Sequence, residues 1–120
     1  MTQLLKSISY ALQGIASCFS KEQNFRIHTS AIVVVCFFGV LLKFNIHYWC
    51  IVILCFGLVL GMELMNSAVE KLCDFVEPNQ NEKIKLIKDM SAGAVLIQAI
   101  SALIVACIIG LNLYELWKTI

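Results

Sequence analysis

The chain has 120 residues, 60% of them hydrophobic and 14% charged, with a formal net charge of +1 and a mean hydropathy of +0.85. Its length allows one domain at most. Charged residues fall far below the roughly 25% of ordinary soluble chains, which excludes that class and points to a small polytopic membrane protein.

Residues 1–20 come first. Leu4, Leu5, Ile8, Leu12, Ile15, Ala16 and Phe19 recur at helical spacing, with Gln3, Lys6, Ser7, Gln13 and Ser17 on the other side. The apolar face is too interrupted to span a bilayer, so a helix lying in the interface is expected. It does not read as a cleavable signal peptide, since no basic segment leads into an unbroken apolar run. Glu22, in Lys21-Glu-Gln-Asn-Phe-Arg26, then precedes a first span over about residues 27–45. Only Phe44 to His47 separates this span from a second over about 48–70, so the two form a tight antiparallel hairpin. A third span covers about 90–113. Each supplies the roughly 20 residues needed to cross the hydrocarbon core.

The second span ends in carboxylates. Fifteen uncharged residues, Tyr48 to Met62, lead straight into Glu63. Glu63, Asn66 and Glu70 are spaced i, i+3, i+7 and share one helix face, with Asp74 a turn later near the same stripe. An acid at the edge of a span is costly, so a functional site is the first reading. Lys88 and Asp89 open the third span: Asp89 reads as a helix cap or a site acid, Lys88 as an interfacial anchor or a phosphate contact.

Charge distribution sets the orientation. With the N-terminus inside, the cytoplasmic parts carry Lys6, Lys21, Arg26, Lys71, Lys83, Lys85 and Lys88, and the outside parts only Lys43 and Lys118. That satisfies the positive-inside rule. Tyr48, Trp49, Tyr114 and Trp117 then form an outer aromatic belt. Nearly all the acids also fall inside, so any chemistry faces the cytoplasm. The six cysteines show no C-x-x-C spacing and lie mostly in apolar spans, where a thiol acts as a small hydrophobe. Carboxylates at a water–lipid boundary, flanked by lysines, suit a divalent cation that carries phosphates. Neither Gly-rich phosphate-loop pattern is present.

The stretch Glu63-Leu-Met-Asn-Ser-Ala-Val-Glu70, then Asp74, then Lys88-Asp-Met-Ser-Ala-Gly-Ala-Val-Leu96, resembles the signature of the prokaryotic diacylglycerol kinase family, which includes the undecaprenol kinases. The resemblance runs from Tyr10 to about Gln98 and includes Glu22-Gln-Asn-Phe-Arg26. It implies an all-α integral membrane protein in which an N-terminal amphipathic surface helix precedes three transmembrane helices, assembled as a homotrimer in the bacterial cytoplasmic membrane. It implies transfer of the γ-phosphate of MgATP to a membrane lipid alcohol, with no nucleic-acid partner. By position, Glu63 matches the general base, and Glu22 and Glu70 the acids that hold Mg²⁺. Tyr10, Lys88 and Asp89 match nucleotide contacts, together with the metal-holding pair. Asn66 and Asp74 match supporting polar residues, and Arg26 and Ala92 border the lipid.

Two positions depart from the pattern of the Gram-negative members: His28 stands where those carry an acid, and Leu86 where they carry an arginine. Asn24-Phe-Arg-Ile-His28 and the Ala-Gly-Ala of residues 92–94 look closer to the undecaprenol-kinase branch, so the acceptor lipid stays open with the polyprenol slightly favoured. A second reading is a small membrane protein without catalysis, such as a proton-coupled transporter subunit. A carrier of that kind needs one membrane acid, whereas this chain gathers several acids, an amide and Lys88 on one side. Gly57-x-x-x-Gly61 and the stripe Ala102, Ala106, Gly110 read either as contacts between chains or as packing within one.

Overall fold

The computed structural model describes residues 2–119 as four helices: α1 (Gln3–Lys21), α2 (Gln23–Leu41), α3 (Ile46–Val76) and α4 (Glu82–Lys118). The expected first helix is present as α1, apart from residue 1, which lies outside the described residues. By length and composition, α2, α3 and α4 can each cross a membrane. Their ends differ from the expected spans. α2 begins four residues earlier and stops at Leu41, α3 runs on to Val76, and α4 extends from Glu82 to Lys118. Hydropathy marks where a helix is apolar, whereas backbone hydrogen bonding continues into polar ends that find caps.

The start of α4 shows this directly. Asn81 is its N-cap, with the side-chain oxygen accepting from the Lys83 N–H at 2.9 Å and the Ile84 N–H at 3.2 Å. Asp89 is therefore not the cap; it lies two turns inside the helix. At about 1.5 Å per residue α3 is about 46 Å long, against a hydrocarbon core of about 30 Å. The polar end of α3 thus reaches well beyond the apolar run that precedes Glu63.

The turn between α2 and α3 is Leu42–Asn45, two residues before the expected position. Lys43 sits in the left-handed region at φ 53°. Its N–H donates to the Val40 carbonyl at 3.2 Å, and the Phe44 N–H donates to the Gly39 carbonyl at 2.8 Å. This is a Schellman ending with lysine where glycine is usual. Asn45 caps α3 by accepting from the Tyr48 N–H at 3.0 Å. Across the turn the two helices come close at Gly39, where the rings of Trp49 and Phe44 occupy the space a side chain would need.

α3 is the hub. It packs along α4, α2 packs on α3, and α1 touches both α2 and α3. Its buried stripe changes character along the axis: Val52 and Val59 near one end, then Glu63, Asn66 and Ser67, then Cys73. Among the described residues α2 and α4 do not meet. An apolar groove of about 380 Å³ opens between them, with Val52, Cys55, Phe56 and Val59 of α3 among its walls and His28 as its one polar lining residue. The chain is thin, 60 × 44 × 19 Å, so most of its large apolar side chains face outward. Gly57 and Gly61 have nothing within 4 Å of a built Cβ, and the same holds for Gly110. Close packing within the chain is therefore not the use of these three glycines.

Candidate active site

The polar end of α3 is met by the corner between α1 and α2. A single extended residue, Glu22, separates the two helices, with φ −102° and ψ 117°. Arg26 holds the corner by donating from Nη1 to the carbonyls of Phe19 at 3.3 Å and Ser20 at 3.0 Å, which satisfies acceptors at the C-terminus of α1. Phe19 and Phe25 meet edge to face across it, with centroids 6.5 Å apart. The corner is fastened to α3 at two points. The Lys71 ammonium donates to Oε1 of Glu22, and Cys18 Sγ lies 3.5 Å from Ser67 Oγ.

Within this junction Glu63 is buried, with a side chain only 3% exposed. Its nearest charged or chargeable partner is His28 of α2, whose Nε2 lies 3.9 Å from Oε2. Glu70 and Glu22 are close enough for their charges to act on it as well. A carboxylate withdrawn from water among apolar helices, without a close hydrogen bond, weakens the fold. A buried acid of this kind is a candidate functional residue. Asn66, also buried, donates from Nδ2 to Oε1 of Glu70 at 3.3 Å, while its own Oδ1 is buried with no hydrogen-bond partner among the described residues. An orphan acceptor beside two carboxylates is a place for a donor from outside the chain.

The expected site residues separate into two groups. Glu63, Asn66, Glu70 and Glu22 converge on the junction, and Lys88 joins them from α4. Lys88 is paired with Asp74 of α3 and lies within range of the charge on Glu70. Asp89, Ala92, Tyr10 and Arg26 stand outside the cluster. Asp89 pairs with Lys85 on the solvent side of α4, Ala92 and Tyr10 are exposed, and Arg26 is committed to the α1 carbonyls. Sequence reasoning passed over Lys71 as a partner of Glu22 and His28 as a partner of Glu63. Their separations of 49 and 35 residues leave no local pattern to read; only their common position near the polar ends of the spans hinted at it.

Among the described residues no three His, Cys, Asp or Glu side chains gather into a full protein cage for a metal. Mg²⁺ bound with a nucleotide does not need one, since one or two carboxylates complete a shell otherwise made of water and phosphate oxygens. Glu22, half-buried, and Glu70 are oxygen donors of the right kind on facing elements. Their neighbours Lys71 and Asn66 hold them by side-chain hydrogen bonds.

A bundle of three membrane-length helices with acids, an amide and lysines gathered at one end defines the class: a small polytopic membrane protein built around an interfacial polar site. Residues 9–110 match the family model for prokaryotic diacylglycerol kinase. The chain is 39% identical over 103 residues to a diacylglycerol kinase of Synechocystis, covering 85% of this chain and 59% of that protein. It is 32% identical over 114 residues to the undecaprenol kinase of Bacillus subtilis, covering 95% of this chain and 89% of the relative. It is 29% identical over 108 residues to the diacylglycerol kinase of Escherichia coli K12, at 90% and 88% coverage. The chain thus spans less than two thirds of the Synechocystis relative but most of the other two. It belongs to the prokaryotic diacylglycerol kinase family, a family of membrane lipid kinases.

Proposed function

We propose that this chain transfers the γ-phosphate of ATP, bound with Mg²⁺, to the hydroxyl of a membrane lipid alcohol at the cytoplasmic face of a bacterial inner membrane. The observation that carries this reading is the buried Glu63, beside the His28 that lines the apolar groove and on the same helix face as Asn66 and Glu70. Phosphoryl transfer asks a protein mostly for positioning and charge neutralisation. Here the bilayer holds the acceptor's apolar tail, and its hydroxyl sits at the depth of Glu63. Glu63 takes the proton of that hydroxyl. Glu70, about 10 Å further along the axis at about 1.5 Å per residue, holds the metal with Glu22. The metal, when bound, draws charge from the phosphate oxygens. Lys88 meets the phosphates as a point charge, with Asp74 setting its position. Tyr10 and Asp89 border the nucleotide, and Arg26 and Ala92 face the lipid.

The exposed apolar face of α1 (Leu4, Leu5, Ile8, Leu12, Ile15 and Phe19) supports a helix lying on the membrane. The open faces at Gly57, Gly61 and Gly110 support close approach of further copies, in keeping with a homotrimer. Relatives are named for diacylglycerol and for undecaprenol, so these are the two acceptors to test. The test is purified protein in mixed micelles, given MgATP with each alcohol in turn, and the phosphorylated lipid measured. Phosphorylated product from at least one of the two is expected. Nucleotide turnover that needs no lipid alcohol contradicts the reading.

A further inference from the structure

We propose that His28 is a positioning residue that orients the Glu63 carboxylate for proton abstraction; this role rests on reading Glu63 as the base. The argument is one of donors and their commitments. Around the junction, Lys71 is spent on Glu22, Lys88 on Asp74, and Asn66 Nδ2 on Glu70. On α2, Arg26 is spent on the carbonyls of α1, and the Thr29 and Ser30 hydroxyls donate back to the Phe25 and Arg26 carbonyls, each at 2.8 Å. Ser67, a turn along α3 from Glu63, accepts from the Cys18 thiol, and among the described residues the imidazole is the one side chain the structure sets against the Glu63 carboxylate. Its Nε2 is 3.9 Å from Oε2 of Glu63, and its ring is the only groove-lining side chain with a nitrogen or oxygen atom.

A separation of 3.9 Å is about 1 Å longer than a hydrogen bond, and catalytic contacts commonly tighten when substrate binds. Without His28, the neighbouring carboxylates Glu70 and Glu22 repel Glu63 with nothing on its groove side to oppose them. In the step itself the acceptor's O–H proton passes to Glu63 Oε as its oxygen bonds the γ-phosphorus and the bond to ADP breaks. His28 gains and loses no proton. It fixes where the second carboxylate oxygen sits.

The test compares His28→Ala with His28→Gln, whose amide nitrogen can stand near the Nε2 position, in steady-state lipid phosphorylation. His28→Ala is expected to lower kcat about 10- to 100-fold, the range for a misplaced catalytic group, with the KM for MgATP changed less than about twofold. His28→Gln is expected to recover most of that loss. Where His28→Ala fails to fold by thermal melting, His28→Phe replaces it as the donor-free variant of similar volume. A donor-free variant at wild-type kcat overturns the role, and so does equal impairment of the donor-free and glutamine variants. A wild-type chain that phosphorylates no lipid alcohol removes the base reading itself; a turning-over wild type with full-rate His28→Ala removes only His28.

Discussion

Gly39→Ala is the sharpest structural perturbation the fold offers. A Cβ at this position would lie 2.9 Å from Cη2 and 3.1 Å from Cζ2 of Trp49, and 3.0 Å from Cδ2 of Phe44. None of these is the free end of a flexible chain. Phe44 packs on Trp49 at 5.8 Å and on Tyr48 at 5.6 Å between centroids, and its backbone N–H is bonded to the Gly39 carbonyl. Moving one ring moves the others and the turn. Overpacking of this kind costs about 1–3 kcal/mol. Alanine offsets part of it, because it is favoured over glycine inside a helix by about 1 kcal/mol. The net expectation is a loss of about 1 kcal/mol, with the first hairpin as the element affected. Gly14→Ala is the control: nothing lies within 4 Å of a Cβ there, so only the helical gain remains. Reversible denaturation of the purified protein in mixed micelles reads both. Equal stability of the two variants would refute the close-approach argument.

Other expectations follow from the same structure. Lys43→Gly relieves the left-handed strain at φ 53° and is expected to stabilise by about 1 kcal/mol in the same denaturation assay. Asn81→Ala removes the side-chain acceptor that caps α4 and is expected to cost about 1 kcal/mol, read as earlier loss of helical circular dichroism on heating. EDTA is expected to stop lipid phosphorylation, with Mg²⁺ restoring it. Glu22→Gln is expected to raise the Mg²⁺ concentration needed for half-maximal rate; an unchanged Mg²⁺ requirement would remove Glu22 from the metal.

Much of this molecule was legible in its sequence because a membrane leaves few options. An apolar run such as Ile32–Leu42 or Tyr48–Met62 has to be helical, and a Glu63-Asn66-Glu70 spacing has to share a face. The helix ends were not legible in the same way. The α2–α3 turn uses Lys43 in a glycine conformation, so the residue that marks it carries no turn signal, and Asn81 caps α4 nine residues before the apolar stretch that begins at about residue 90. The site divides along the same line. Its stripe on α3 follows from period alone, whereas the clamp of Lys71 on Glu22 and the approach of His28 to Glu63 depend on how the α1–α2 corner docks. Arg26 and Asp89 illustrate the converse: both sit in the motif, yet local hydrogen bonding holds one to the α1 carbonyls and the other to Lys85.

Turnover of Glu63→Gln bears most directly on the account as a whole. Glutamine keeps the shape of this buried side chain and removes its charge and its capacity to take a proton, so folding and assembly should be unchanged or improved. Phosphorylation of diacylglycerol or undecaprenol by MgATP should fall to background. Wild-type rates in that variant would contradict the assignment of Glu63 as the base that acts on the lipid hydroxyl.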